Sequence, residues 1–195
     1  DILRNYILSM APEIPEEQLD SILAALPARV HKRGEVLVHQ GGQSRECFFV
    51  LKGCLRVFFI DDEGNERTTD FITEEQSFVI FESYSCGEPS PYSVECVEES
   101  LLLQGDVKNE EAMNLRFPWL NEVIRTSMEK SMAAGQKQLF AFKSASTKQR
   151  YLQVLDERPG LAARVPQHQL ASYLGITPES LSRLKKRLYE SKRAK

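Results

Sequence analysis

From Gln167 to Lys186 the chain reads QHQLASYLGITPESLSRLKK. Two helices that cross at a tight turn need a small residue where they touch, and Ala171 stands there. Four residues later the turn needs a residue that tolerates positive φ, which Gly175 supplies. Leu170, Leu174, Ile176, Leu181 and Leu184 occupy the apolar contact positions. Thr177 is a capping residue type, and Pro178 suits a first helical position because its missing N–H would be unpaired there anyway. The pattern predicts a helix-turn-helix, with helices around 166–174 and 178–190. An ordinary helical hairpin could share the spacing. It would not need Arg183, Lys185, Lys186 and Arg187 on its second helix, a cationic surface suited to a polyanion.

Charge divides the rest of the chain in the same sense. Residues 143–195 carry 12 Lys/Arg against 4 Asp/Glu, whereas residues 1–142 carry 13 against 24, so a net charge of −3 hides an acidic and a basic module. With 195 residues, 42% hydrophobic and 27% charged, the chain is neither disordered nor a membrane protein. No apolar run approaches the roughly 18 residues that cross a bilayer. The start, Asp1-Ile2-Leu3-Arg4, lacks the layout of a secretory signal, and a cytoplasmic protein is expected. Cys47, Cys54, Cys86 and Cys96 form no C-x-x-C pair and have no His at zinc-ligand spacing. Reduced thiols are expected, with thiol redox sensing as the alternative. His31 and His39 do not supply the clustered ligands of a cupin-like metal site, and no nucleophile–base pair stands at a recognisable spacing. The expectation is therefore no enzyme, no metal and no cofactor.

The elements that must position the motif read as follows. Leu19, Ile22, Leu23 and Leu26 give a helix over Pro15 to Leu26 one apolar face. From about Arg29 to Leu103, period-two runs (Val36 and Val38; Phe49 and Leu51; Leu55, Val57 and Phe59) alternate with glycine-marked turns, predicting an antiparallel barrel or roll. Asp61 to Asn65 is a hairpin loop in this reading. A long helical pattern follows from about Asn109 to Phe142, its continuous part beginning near Pro118. Phe117, Leu120, Ile124, Met128, Met132, Gly135, Leu139 and Phe142 form one stripe. Such a stripe either packs on its own domain or pairs with a second copy, and its length beside a sufficient β-core favours the homodimer. Tyr151 to Leu155 forms a further helix, ended by Pro159-Gly160.

A β-roll, a long helix and a C-terminal helix-turn-helix resemble the cyclic-AMP receptor protein/fumarate-nitrate regulator family of bacterial transcription factors. Gly34-Glu35, Gly42, Phe49 and Lys52-Gly53 resemble the glycine-punctuated strands of cyclic-nucleotide-binding domains. Glu179-Ser180-Leu181-Ser182-Arg183 resembles the E-x-x-S-R recognition helix of the fumarate-nitrate branch. The resemblance implies an α+β chain: a cyclic-nucleotide-binding-like β-roll (a double-stranded β-helix) over 1–110, a dimerisation helix over 111–142 and a DNA-binding domain over 143–195. Leu120, Ile124, Met128, Met132, Gly135 and Leu139 would form the dimer interface. Glu179, Ser182 and Arg183 would read base edges, and the chemistry fits: Arg donates a bidentate pair to guanine, Glu accepts from cytosine, Ser adapts. Gln167, His168, Thr177, Ser180, Lys185, Lys186 and Arg187 would meet the DNA backbone. The partners implied are double-stranded DNA with an inverted repeat, a second copy and RNA polymerase. The alternative is a ligand-binding β-roll whose C-terminal domain contacts a protein.

Three departures from the family pattern matter. The cyclic-nucleotide branch holds phosphate with an Arg followed by Ser or Thr, but Glu88-Pro89-Ser90-Pro91-Tyr92 has no Arg. Between Arg67 and Lys108 there are nine Asp/Glu and no Lys or Arg, and a phosphate wants cations or convergent N–H donors. Cyclic nucleotide is not expected to bind. Phe78, Ile80, Phe81, Tyr84 and Tyr92 either fill the pocket themselves, the favoured case, or line it for a less anionic ligand. Second, the first 46 residues lack the cysteines of iron–sulfur relatives, and His31, His39 and His168 are too scattered to argue for haem. Third, the chain ends at Lys195, so a full β-hairpin wing after the recognition helix is not expected, and Lys192, Arg193 and Lys195 are left to touch phosphates.

Overall fold

The computed structural model describes residues 2–26, 28–106, 112–113 and 115–193. In chain order the elements are α1 (Ile2–Met10), α2 (Glu16–Ala25), β1 (Ala28–His31), β2 (Val36–Val38), β3 (Glu46–Lys52), β4 (Leu55–Ile60), β5 (Glu66–Ile72), β6 (Ser77–Val79), α3 (Phe81–Cys86), β7 (Ser93–Cys96), β8 (Ser100–Asp106), α4 (Leu120–Ser144), α5 (Thr147–Glu157), α6 (Leu161–Arg164), α7 (Gln167–Tyr173) and α8 (Pro178–Arg193). The expected α+β arrangement is present: α1 and α2 precede the strands, α3 interrupts them, and α4 to α8 follow. Contacts divide the chain into two compact units, one of Asp1–Val57 with Phe71–Ala133 and one of Phe58–Asp70 with Ala134–Lys195.

Among the described residues, eight strands form two four-stranded sheets of order β1-β8-β3-β6 and β2-β7-β4-β5. Pairing is antiparallel in β1–β8, β2–β7, β3–β6 and β3–β8. Val38, Phe48, Val50, Leu55, Val57, Ile72, Ile80, Val94, Cys96 and Leu102 make one buried apolar cluster of the roll. The phase of β3 differs from the sequence reading: Phe48 and Val50 are core members, while Phe49 is half-buried. The ladder to β8 slips between Val50 and Lys52, which turns Leu51 inward as well and breaks the period of two. Only glycine fits at 53. Its φ is +114°, and a Cβ there would lie 2.2 Å from Ser100 Oγ.

A second apolar cluster joins α1 and α2 to Met113 and Phe117, through Ile7, Leu19 and Ile22. Arg4 of α1 pairs with Glu16 and, at 3.2 Å, with Asp20 of α2. None of the four cysteines is in a disulfide, and burial pushes the Cys96 thiol up to about 11. Among the described residues no three His, Cys, Asp or Glu side chains are grouped to hold a metal. None of the described helices is long and apolar enough to cross a membrane.

The long stripe lies on α4. Phe117, ahead of the helix, is buried and Ile124 half-buried, but Met128, Met132, Gly135, Leu139 and Phe142 are exposed in the single chain. The side chain of Leu120 lies outside the described residues, as do those of Lys192, Arg193 and Lys195.

Candidate nucleic-acid interface

In the C-terminal unit α7 and α8 are built as the spacing requires. Leu170, Ala171, Leu174 and Leu181 are buried to 1% or less. Gly175 has φ +69°, and the N–H groups of Gly175 and Ile176 donate to the carbonyls of Ser172 and Ala171. That is a Schellman closure of α7, and it needs a left-handed residue at 175. Thr177 caps α8, its Oγ1 accepting from the Ser180 N–H at 3.3 Å.

With Leu181 buried beneath it, α8 turns Glu179, Ser182, Arg183, Lys186 and Arg187 outward, all exposed. Ser180 and Lys185 are half-buried beside them, and Gln167, His168 and Thr177 are exposed at the start of α7 and at the turn. The structure thus brings the sequence-derived set onto one motif. The Glu179 carboxyl is held below the usual carboxylate range, first by its own backbone N–H and then by the Thr177 hydroxyl. It is an acceptor at neutral pH, while Arg183, Lys186 and Arg187 offer donors.

The sequence reading missed three supports of this motif, of which only the Ser146-x-x-Gln149 capping box has a sequence signature. Arg150 of α5 donates to the carbonyls of Phe142 (3.3 Å), Ala145 (3.1 Å) and Leu174 (2.9 Å), and its guanidinium stacks 4.8 Å from the Phe142 ring centroid. It ties the end of α4 and the start of α5 to the helix-turn-helix corner. A capping box between Ser146 and Gln149 fixes the α5 start that aims it. The β4–β5 hairpin also packs on α7: the Thr68 N–H donates to Ser172 Oγ at 2.9 Å, and Ser172 Oγ donates to the Glu66 carbonyl at 3.3 Å. Arg158 pairs with Asp70 at 3.1 Å in the same contact. Burial, with Asp70 adding to it, pushes the neighbouring Tyr173 phenol up to about 12.

In the β-roll, the segment expected to hold a phosphate is bonded to itself. The Ser44 N–H donates to Ser83 Oγ at 2.7 Å. Gly41 N–H donates to the Ser90 carbonyl and Ser90 N–H to the Gly42 carbonyl, both at 2.7 Å. Ser90 Oγ accepts from the Tyr92 N–H and donates to the Tyr92 carbonyl. Ile80 is in the core, with Phe78 and Tyr92 packed against it. Tyr84 is half-buried, but Phe81 is 51% exposed and does not fill the pocket, because it opens α3 on the solvent side. Sequence distance also hid one cation: Arg45 Nη2 lies 3.9 Å from where a Cβ on Gly87 would stand.

Residues 28–110 match the family model of the cyclic nucleotide-binding domain. The chain is 24% identical to the cyclic AMP receptor protein of Thermus thermophilus over 86% of its own length and 79% of that protein. It is 24% identical to the transcriptional activator protein anr of Pseudomonas aeruginosa, over 86% of this chain and 72% of the relative. Among solved structures, FixK2 from Bradyrhizobium japonicum matches with a TM-score of 0.69 at 13% identity, covering 85% of each chain.

Proposed function

We propose that this chain is a transcription regulator of the cyclic-AMP receptor protein/fumarate-nitrate regulator kind, a homodimeric, sequence-specific DNA-binding protein independent of cyclic nucleotide. The observation that carries the reading is the outward face of α8, where Glu179, Ser182, Arg183, Lys186 and Arg187 stand exposed over a fully buried Leu181. Arg183 and Glu179 contact base edges, Ser182 adapts between them, and Lys185, Lys186 and Arg187 meet phosphates with Gln167, His168, Thr177 and Ser180. The exposed α4 stripe is covered by the same stripe of a second copy. The dimer sets its two recognition helices about 34 Å apart on an inverted repeat. In this reading residues 1–110 are a sensor-like domain, 111–142 the dimerisation helix and 143–195 the DNA-binding domain.

Independence of cyclic nucleotide is supported by the internal bonds of Ser44, Gly41, Ser90 and Tyr92, whose N–H groups are no longer available to a phosphate. Arg45 is the group that would oppose it.

Selection of binding sites from random DNA, followed by salt titration, tests the first claim. An inverted repeat whose affinity falls steeply with salt is expected. Salt-insensitive binding, or none, would favour a protein partner for α8. Calorimetric titration with cyclic AMP and cyclic GMP tests the second. Micromolar affinity for either, or DNA binding that appears only with nucleotide, would overturn it.

A further inference from the structure

We propose that Ser180, on the inner edge of the recognition face, is a positioning residue that sets base-pair selectivity by holding the Arg183 guanidinium; the proposal rests on the DNA-binding reading of α8. Arg183 Nη2 donates to Ser180 Oγ at 3.3 Å, one helical turn back along α8. The Thr177 hydroxyl oxygen lies within hydrogen-bond distance of the same Oγ, at 3.2 Å. A serine oxygen has two lone pairs and one proton. A guanidinium can only donate, so Arg183 takes one lone pair, and the rest of the hydroxyl's capacity is shared between Thr177 and an approaching phosphate oxygen. One hydroxyl therefore couples three things: the helix cap, the guanidinium and the DNA backbone.

The physical consequence is preorganisation. Arginine has about 2 kcal/mol of rotamer entropy to lose when it docks on a base, and a partner that holds its planar fork beforehand reduces that loss. Arg183 and Ser182 are exposed, so no packing restrains the guanidinium in the way it restrains Leu181. The i to i+3 hydrogen bond is the restraint that the structure provides. Ser180 is half-buried, which keeps its own oxygen in place.

Substitution at 180 separates this role from the cap. The Thr177 cap accepts from the backbone N–H of residue 180, so Ser180→Ala leaves it intact. The test measures affinity for the selected operator and for every single-base variant, in wild type, Ser180→Ala, Ser180→Thr, Arg183→Ala and Ser180→Ala/Arg183→Ala, with helicity as the folding control. Ser180→Ala is expected to lower discrimination about 3- to 10-fold at the one base pair per half-site that Arg183→Ala also relaxes. The double variant should discriminate there no worse than Arg183→Ala alone, and Ser180→Thr, which keeps the hydroxyl, should restore selectivity. In the free protein, Ser180→Ala should increase the side-chain mobility of Arg183 seen by nuclear relaxation. A uniform loss over all base positions would make Ser180 a phosphate contact only and overturn the proposal, as would unchanged selectivity. A wild-type chain that binds all DNA alike would overturn the DNA-reading assignment and this proposal with it, whereas a selective wild type with an indifferent Ser180→Ala sinks the proposal alone.

Discussion

The β-roll and α8 contain the same kinds of polar residue and use them in opposite ways. In the roll, Arg56 is 2% exposed and bonded to Glu95 at 2.9 Å, and the Ser44 N–H, Ser83 Oγ and Ser90 Oγ bond within the roll, although the buried Ser44 Oγ has no partner. On α8, Glu179, Arg183, Lys186 and Arg187 stand in solvent on a helix whose other face is sealed by Leu181. Buried polar groups must find partners within the chain, because leaving one unsatisfied costs about 1–3 kcal/mol, so a satisfied interior is a structural statement. Exposed, convergent charges on a rigid element have no such obligation and remain available to a ligand. In the proposed reading, this difference assigns the DNA contact to the C-terminal unit.

The α4 stripe offers the largest way to break that comparison. Ile124→Glu with Met132→Glu should give monomers by sedimentation. Operator affinity should fall about 100-fold or more, through loss of the bivalent contact, while the roll stays folded. A wild-type chain that sediments as a monomer at micromolar concentration would remove the basis of this prediction. Within the roll, Arg56→Met leaves Glu95 without its cation and should destabilise by about 3–5 kcal/mol in chemical denaturation. Leu181→Ala should cost about 2–5 kcal/mol. Amide exchange should place that loss in residues 134–195, sparing the roll.

Smaller effects sharpen the contrast on α8 itself. Arg183→Ala should cost about 1–3 kcal/mol and relax preference at one base pair per half-site. Lys186→Ala should weaken all sequences alike and reduce the salt slope by about 0.9 per half-site. The smallest effect concerns the hairpin tip, where the Asp61 carboxyl is held below the usual carboxylate range, first by the Asn65 N–H and then by Arg67. A depressed folded-state pKa stabilises above the ordinary carboxylate range, and the contribution is lost as pH falls through the folded value. Asp61→Asn should therefore melt slightly below wild type at neutral pH, and the difference should close in acid.

Local chemistry explains which parts were legible in the sequence. The turn at Gly175, the cap at Thr177, the start of α4 after Pro118 and the hairpin at Asp61–Asn65 each follow from a residue type whose backbone preference acts within a few positions. The helix α1 escapes the sequence reading although Leu3 and Ile7 stand at helical spacing: nine residues are too few for a helix stable by itself, and its place comes from packing on α2 and Phe117. The phase of β3 was misread because a bulge is a property of two strands, and β8 lies about fifty residues away in sequence.

The sequence by itself determined the helix-turn-helix, the acidic and basic halves and the apolar stripe, because spacing and charge along a helix are local quantities. Only the tertiary structure decided which polar groups are used up. Arg45 comes beside Gly87 from forty-two residues away, Arg150 joins three carbonyls from separate segments, and Ser172 takes up a hairpin more than a hundred residues distant. A hydrogen bond acts over about 3 Å of space and has no range in sequence, so the closing of the roll and the bracing of the recognition motif exist only once the chain has folded.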